Sequence, residues 1–273
     1  MLGIIKEEIL LTTKKIRFIV LTALLFVTVL VTTIISKANH FNDMIFFLNI
    51  SKFVLNVFDL AVVPILLIST WRRKYTRSSI IQAEEHGVKR CTAVLARALA
   101  GILILAACYL CMALFVTLLG LVFGAGLSAK QTALIWLLFG SDLISSIAMY
   151  SGCLFGLYLF AFPIVPIAVF TLATAAVDYF FNSFGGYDNI IAEVCAYIFP
   201  RTGMRFFYAG ALVSNPLWVY PLICLVYVVI TILLSMLVFK LKRKEKKNKK
   251  GGAEEATDAE AAPAESEAAE VTT

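Results

Sequence analysis

Residues 132–177 read TALIWLLFGSDLISSIAMYSGCLFGLYLFAFPIVPIAVFTLATAAV, and how this stretch divides decides the fold. It carries one charged residue, Asp142. Wound as a single helix rising 1.5 Å per residue, it would be about 70 Å long, more than twice the roughly 30 Å hydrocarbon core of a bilayer. Tilt cannot absorb such an excess, so the spacing predicts two spans, Thr132–Tyr150 and Gly152–Val177, with a tight connection at Ser151 and Gly152.

Four further apolar runs flank this pair: Phe18–Ser36, Phe53–Thr70 and Ala98–Phe123 before it, Leu217–Phe239 after it. Each is about as long as a helix needs to be to cross a bilayer. The whole chain is 60% hydrophobic and only 15% charged, with a mean hydropathy of +0.88, well beyond the composition of a water-soluble domain. Short, turn-punctuated alternation of the kind a membrane barrel needs is absent. The reading is an all-α membrane protein with six transmembrane helices.

Charge sets the expected orientation. Of the 24 lysines and arginines, only Lys37, Lys52, Lys130, Arg201 and Arg205 fall on one side of the six spans; the rest share the other. The basic side is expected to be the cytoplasm, with both termini on it, in a cell membrane. Ser36-Lys37-Ala38 looks like a signal-peptide cleavage site, but an apolar region of about 18 residues is longer than such signals use. Before the first span, residues 1–17 are expected to form an interfacial helix, with Leu2, Ile5, Ile9 and Ile16 on one face and Lys6, Glu7, Glu8, Lys14 and Lys15 over much of the rest. The transmembrane domain then occupies 18–239. Residues 240–273 form a cytoplasmic tail, basic over Lys240–Lys250 and Ala/Glu-rich beyond, expected to be disordered. The basic segment is expected to lie against anionic lipids, and no nucleic-acid partner is expected.

Chemistry-bearing motifs are sparse. There is no G-x-x-x-x-G-K-[ST], so no P-loop of its own. His40 and His86 are predicted on opposite sides of the membrane, which argues against a catalytic triad or a histidine metal site; no catalytic residue, metal ligand or bound cofactor is expected. Cys108 and Cys111 have C-x-x-C spacing but lie in an apolar run and read as small core residues. Asp59 and Asp142 are carboxylates inside spans, each costing about 2.5–3.5 kcal/mol to insert, and are candidates for the lining of a pathway. No lysine or arginine lies deep in a span to pair with them.

The most informative polar segment is the loop between the second and third spans. Ser79 and Gln82 have capping-box spacing, which predicts a short helix carrying Glu84 and Glu85. A break is expected near Gly87, and a basic helical stretch with Lys89, Arg90 and Arg97 leads into the third span. The sequence here resembles the permease subunits of export-type ABC transporters, in the type 2 group that includes antibiotic and bacteriocin-immunity exporters. The matching positions are Glu84, Glu85, Gly87, Lys89 and Arg97; Val88 stands where threonine is usual, and the proline that often precedes the arginine is missing. The resemblance covers about residues 1–240.

It implies that this loop, with Ser79, Gln82, Glu84, Glu85, Gly87, Lys89, Arg90 and Arg97, contains a cytoplasmic coupling helix docking a separate cytosolic ABC ATPase subunit, which would carry the ATP and Mg. It also implies a second permease subunit, identical or not, a bacterial source, and short outside helices between the fifth and sixth spans. The aromatic-rich segment Asp178–Pro216 suits re-entrant or interfacial elements of that kind. An amphipathic or hydrophobic exported substrate is the expectation. Two other classes fit parts of the sequence. A non-transporting adaptor would use the same loop and tail to recruit partners. An intramembrane protease would need the Glu84-Glu85 pair in an apolar helix, not in a basic loop.

Overall fold

The computed structural model describes residues 2–38, 50, 53, 57–70, 87, 89–123, 128–159, 164–183, 190–212, 217–238 and 240. These form helices α1 (Leu2–Thr13), α2 (Ile16–Ala38), α3 (Asp59–Thr70), α4 (Arg90–Val122), α5 (Ala129–Leu159), α6 (Ile164–Ser183), α7 (Ile190–Ile198), α8 (Pro200–Leu212) and α9 (Val219–Val238). No strand occurs among the described residues. Four helices, α2, α4, α5 and α9, are long and apolar enough to cross a membrane, and two shorter apolar helices lie at Leu60–Ser69 and Ile164–Val177.

The decisive stretch does fold as two helices, but not at the expected border. α5 runs without interruption through Ser151 and Gly152 to Leu159. Ser151 and Gly152 read as a connection because they are small and polar, yet both are buried. The Ser151 hydroxyl donates back to the Ala148 carbonyl at 2.8 Å, an internal bond that lets serine sit inside an apolar helix. Residues 160–163, between the two helices, lie outside the described residues. At its other end α5 begins with a reciprocal cap: the Ser128 amide donates to Gln131 Oε1 (2.8 Å) and the Gln131 amide to Ser128 Oγ (3.2 Å).

α5 is the central helix. Half of its apolar window is buried, against 17% for α9, and it touches α3, α4, α6 and α8. Its partners close in because small residues leave room for them. The Tyr150 ring lies where a Cβ on Gly101 of α4 would stand, and a Cβ on Gly156 would meet Pro166 of α6 at 2.6 Å. Between α3, α4 and α5 the buried rings Phe58, Tyr109 and Phe139 meet edge to face, with centroids 4.9 to 6.4 Å apart. On the outer side of α9, Leu222, Leu225, Val229, Leu233 and Leu237 form an exposed apolar stripe. Such a stripe is unfavourable against water and suits hydrocarbon.

The helices alternate in direction. Lys15, just before α2, donates from Nζ to the Ser69 carbonyl at the end of α3 (2.7 Å), and Arg97 near the start of α4 reaches Glu8 of α1. The starts of α2 and α4 and the end of α3 therefore lie together at the end of the bundle that carries α1. The N-terminal segment is helical from Leu2 to Thr13, short of the expected residue 17, and its inward stripe is Ile5, Glu8, Ile9 and Thr12; Leu2 is 83% exposed, and Ile16, expected on the same face, opens α2 and is 78% exposed.

Candidate functional site

At the α1 end, one charged contact organises three helices. Arg97 Nη2 donates to Glu8 Oε1 at 2.9 Å, with the two side chains only 9% and 14% exposed. The Tyr150 hydroxyl donates to the Arg97 carbonyl at 3.4 Å, and the notch at Gly101 lets that ring lie flush on α4. Glu8 is held in turn, since Thr12 Oγ1 caps the Glu8 carbonyl one turn on at 2.8 Å. A buried guanidinium is costly unless paired, so α1 is fixed to the base of α4 by charge as well as by packing.

The residues expected in the docking loop fall on either side of this joint. Gly87 has φ +77°, a left-handed conformation that glycine supplies without strain. Lys89 follows in extended conformation, exposed, as the residue preceding α4, and Arg90 opens that helix. α4 is thus continuous from Arg90 into the apolar span expected to start at Ala98. Arg97 turns inward to Glu8. Ser79, Gln82, Glu84 and Glu85 lie outside the described residues. So does the basic and acidic tail beyond residue 240.

Toward the far end of the bundle, α7 and α8 form a helical hairpin with a single residue, Phe199, between them. Pro200 occupies the first position of α8, where its missing N–H costs nothing and its fixed φ favours the helix. Gly203 allows the two arms to close, for a Cβ there would meet the Ala196 carbonyl oxygen at 2.6 Å. α8 runs antiparallel to α9: Phe207 pairs with Trp218 (5.1 Å), Phe206 with Tyr220 (5.8 Å), and the Cys224 thiol points to the Pro200 carbonyl (3.6 Å). α9 runs parallel to α5, since Thr231 Oγ1 donates to Ser151 Oγ at 2.9 Å and Tyr227, one turn earlier, lines a cavity with Ser145 and Met149.

The hairpin tip is consequently deep. Pro200 and Arg201 share a cavity with Ser145 and Met149, which lie near the middle of α5. Arg201 is 3% exposed. No lysine or arginine is expected deep in a span, and Arg201 lies in the short helix α8 rather than in a spanning one, yet it reaches the level of Ser145 and Met149 on α5. Arg201 belongs to the aromatic segment expected outside, and the hairpin carries it inward without any helix that crosses. Asp142 is also 3% exposed, one turn before Ser145. Because α8 and α5 are antiparallel and each rises 1.5 Å per residue, Arg205 lies near the level of Asp142. Asp59 opens α3.

The polar face of α5 is therefore a seam of Ser141, Asp142, Ser145 and Ser146, all buried. Ser146 and Tyr109 share a hydrogen bond of 2.7 Å, locking α4 to α5, and Ser141 donates to the Leu138 carbonyl at 2.8 Å. Ser145 Oγ is buried with no hydrogen-bond partner among the described residues. Charge counting placed Arg201 and Arg205 at the surface and Glu8 on the polar face of the first helix, and so missed that Arg201 and Glu8 turn inward. The spacing of Arg201 and Arg205, one helical turn apart after Pro200, was the signal for an arginine face on a short helix. Comparison of the chain with family models, with curated proteins and with solved structures finds no match in any of the three.

Proposed function

We propose that this chain is the membrane-spanning half of an ATP-driven exporter, in which a separate ATPase subunit docks on the segment 71–89. In this reading the shorter apolar helices α3 and α6 join α2, α4, α5 and α9 as six spans, with the α1 end in the cytoplasm. Two such chains, identical or different, enclose the pathway for an amphipathic or hydrophobic substrate. The observation that carries the reading is the Glu8–Arg97 joint. It ties an N-terminal helix to the base of α4, two turns beyond the residue that ends the docking segment, so that a push on that segment reaches α4, α1 and, through Tyr150, α5.

The chain then needs no catalytic group of its own, because free energy enters as a displacement of helices by the partner. The α7–α8 hairpin, with Arg201 and Asp142 buried beside it, supports a gate at the opposite end of the route. Co-expression with the neighbouring genes and purification from detergent tests the proposal. An ATPase subunit should co-purify, and Glu84→Lys with Glu85→Lys should weaken that association. A chain that brings down no ATPase under conditions preserving its own fold overturns the reading.

A further inference from the structure

The cavity at the hairpin tip measures about 280 Å³ and lies between α5, α6, α9 and the α7–α8 tip. The wall residues with accessible surface include the apolar Val169, Ala173, Ile198, Phe199 and Pro200. Its polar neighbours present almost none, since Ser145, Thr174 and Arg201 are 1%, 7% and 3% exposed. A charged head would lose its water there and gain little in return.

Depth identifies what lies outside. Ser145 and Met149 are near the middle of α5 and Tyr227 near the middle of α9, two helices long and apolar enough to cross a membrane. Lipid headgroups then stand about 15 Å away on either side, half the thickness of the hydrocarbon core. Val169 and Ile198 are 57% and 60% exposed, so the cavity opens sideways at this depth, into hydrocarbon.

Moving a lipid chain into this space brings no hydrophobic gain, because lipid tails are already as apolar as leucine. The gain is in contact: atoms lining a void have no neighbours on one side and forfeit their dispersion energy. Water does not make good that loss, for an engineered apolar cavity of roughly 150 Å³ stays dry yet takes up benzene. The space here is larger, and the chain ends of the surrounding lipid are the matching chemistry within reach.

We propose that the end of one acyl chain of a membrane lipid fills this cavity from the side, while its headgroup stays at the membrane surface. The chain enters between Val169 and Ile198 and ends against Met149. The site is indifferent to the headgroup, and it rests on membrane residence of α5 and α9, not on the exporter reading.

The test uses the full chain in lipid nanodiscs containing phosphatidylcholine with a diazirine near the end of one acyl chain. After photolysis, label is mapped to single residues by mass spectrometry. Val229, on the exposed stripe of α9, reports the surrounding lipid. Met149 is 5% exposed, so label there requires a chain inside the cavity. It should carry about tenfold more label than Leu138, which is buried away from the cavity, a factor equal to about 1.4 kcal/mol. Phosphatidylglycerol with the same diazirine should label Met149 to within about twofold of phosphatidylcholine. A diazirine placed beside the glycerol should leave Met149 at the Leu138 level. Ala173 is itself exposed, so Ala173→Trp fills the opening without entering the packed core; it should return Met149 to the Leu138 level while Val229 keeps its label. Met149→Cys should resist a water-soluble methanethiosulfonate until the protein unfolds. Label at Met149 no greater than at Leu138, undiminished label in a folded Ala173→Trp protein, or a larger headgroup dependence overturns the proposal. So does labelling of Met149 from the glycerol position, or modification of the Met149→Cys thiol in the folded protein. Deep labelling of a chain that recruits no ATPase leaves this site standing while the exporter reading falls.

Discussion

Replacing Glu8 and Arg97 by glutamine, singly and together, probes the joint between α1 and α4. The pair is 2.9 Å apart, and its side chains are 9% and 14% exposed, so each single change leaves a nearly buried charge without its counterpart. Breaking one side of such a pair typically costs about 3–5 kcal/mol. The site lies at the end of the bundle, with α1 partly exposed, which places each single variant near the lower limit, at about 3 kcal/mol. The double variant removes both charges and keeps side chains of similar length, so it should also cost about 3 kcal/mol, leaving a coupling of about 3 kcal/mol. Unfolding in mixed micelles of maltoside and dodecyl sulfate, followed by tryptophan fluorescence, supplies the four free energies. The exchange Glu8→Arg with Arg97→Glu should recover part of the loss. Single effects that add to within about 0.5 kcal/mol would show that the two groups act independently, and the joint would lose its energetic basis.

Gly101→Ala should lower stability by about 1–3 kcal/mol in the same assay, because its methyl would occupy the space of the buried Tyr150 ring, and Tyr150→Val should relieve that loss. Ser128→Ala removes one half of the reciprocal cap on α5 and should cost about 1 kcal/mol. A membrane-impermeant maleimide should label exposed Cys91 from the cytoplasmic side alone, with buried Cys153 and Cys224 unmodified until the protein unfolds; labelling of Cys91 from outside would invert the proposed orientation. Asp142→Leu should destabilise the α5–α8 interface more than Asp142→Asn, since it leaves the arginines of α8 beside a hydrocarbon side chain; equal losses would mean that the carboxylate contributes only its volume.

Helical membrane character was legible because it depends on long-range composition. Runs such as Phe18–Ser36 and Leu217–Phe239 are apolar around their whole circumference, and α2 and α9 follow them to within a few residues. Features that depend on what one helix meets in another were not legible. Ser151 and Gly152 are turn-forming residues by type, but in an interhelical contact they are packing residues that let neighbours approach. Arg201 was counted as a topological charge because arginine usually marks the membrane surface. A short hairpin packed into the bundle escapes that rule, since neither of its described arms is long enough to cross. The positive φ at Gly87 was readable, because it is a local demand that glycine alone meets cheaply. The inward turn of Arg97 was not, since Glu8 stands 89 residues away in sequence.

Consecutive residues of α5 serve two different sites: Met149 forms part of the cavity wall, and Tyr150 holds the Arg97 carbonyl. A helix interior has no soft joint between neighbours, so the two side chains share one rotational coordinate. With side chains about 5–6 Å from the helix axis, a 10° roll of α5 sweeps each tip by about 1 Å. A shift of that size at Tyr150 strains a single hydrogen bond, but at Met149 it changes the width of a small pocket by a large fraction. The helix would act as a crankshaft: a turn imposed where α1 meets α4 appears as a change in bore beside Arg201, and an object seated there would resist that turn with equal torque.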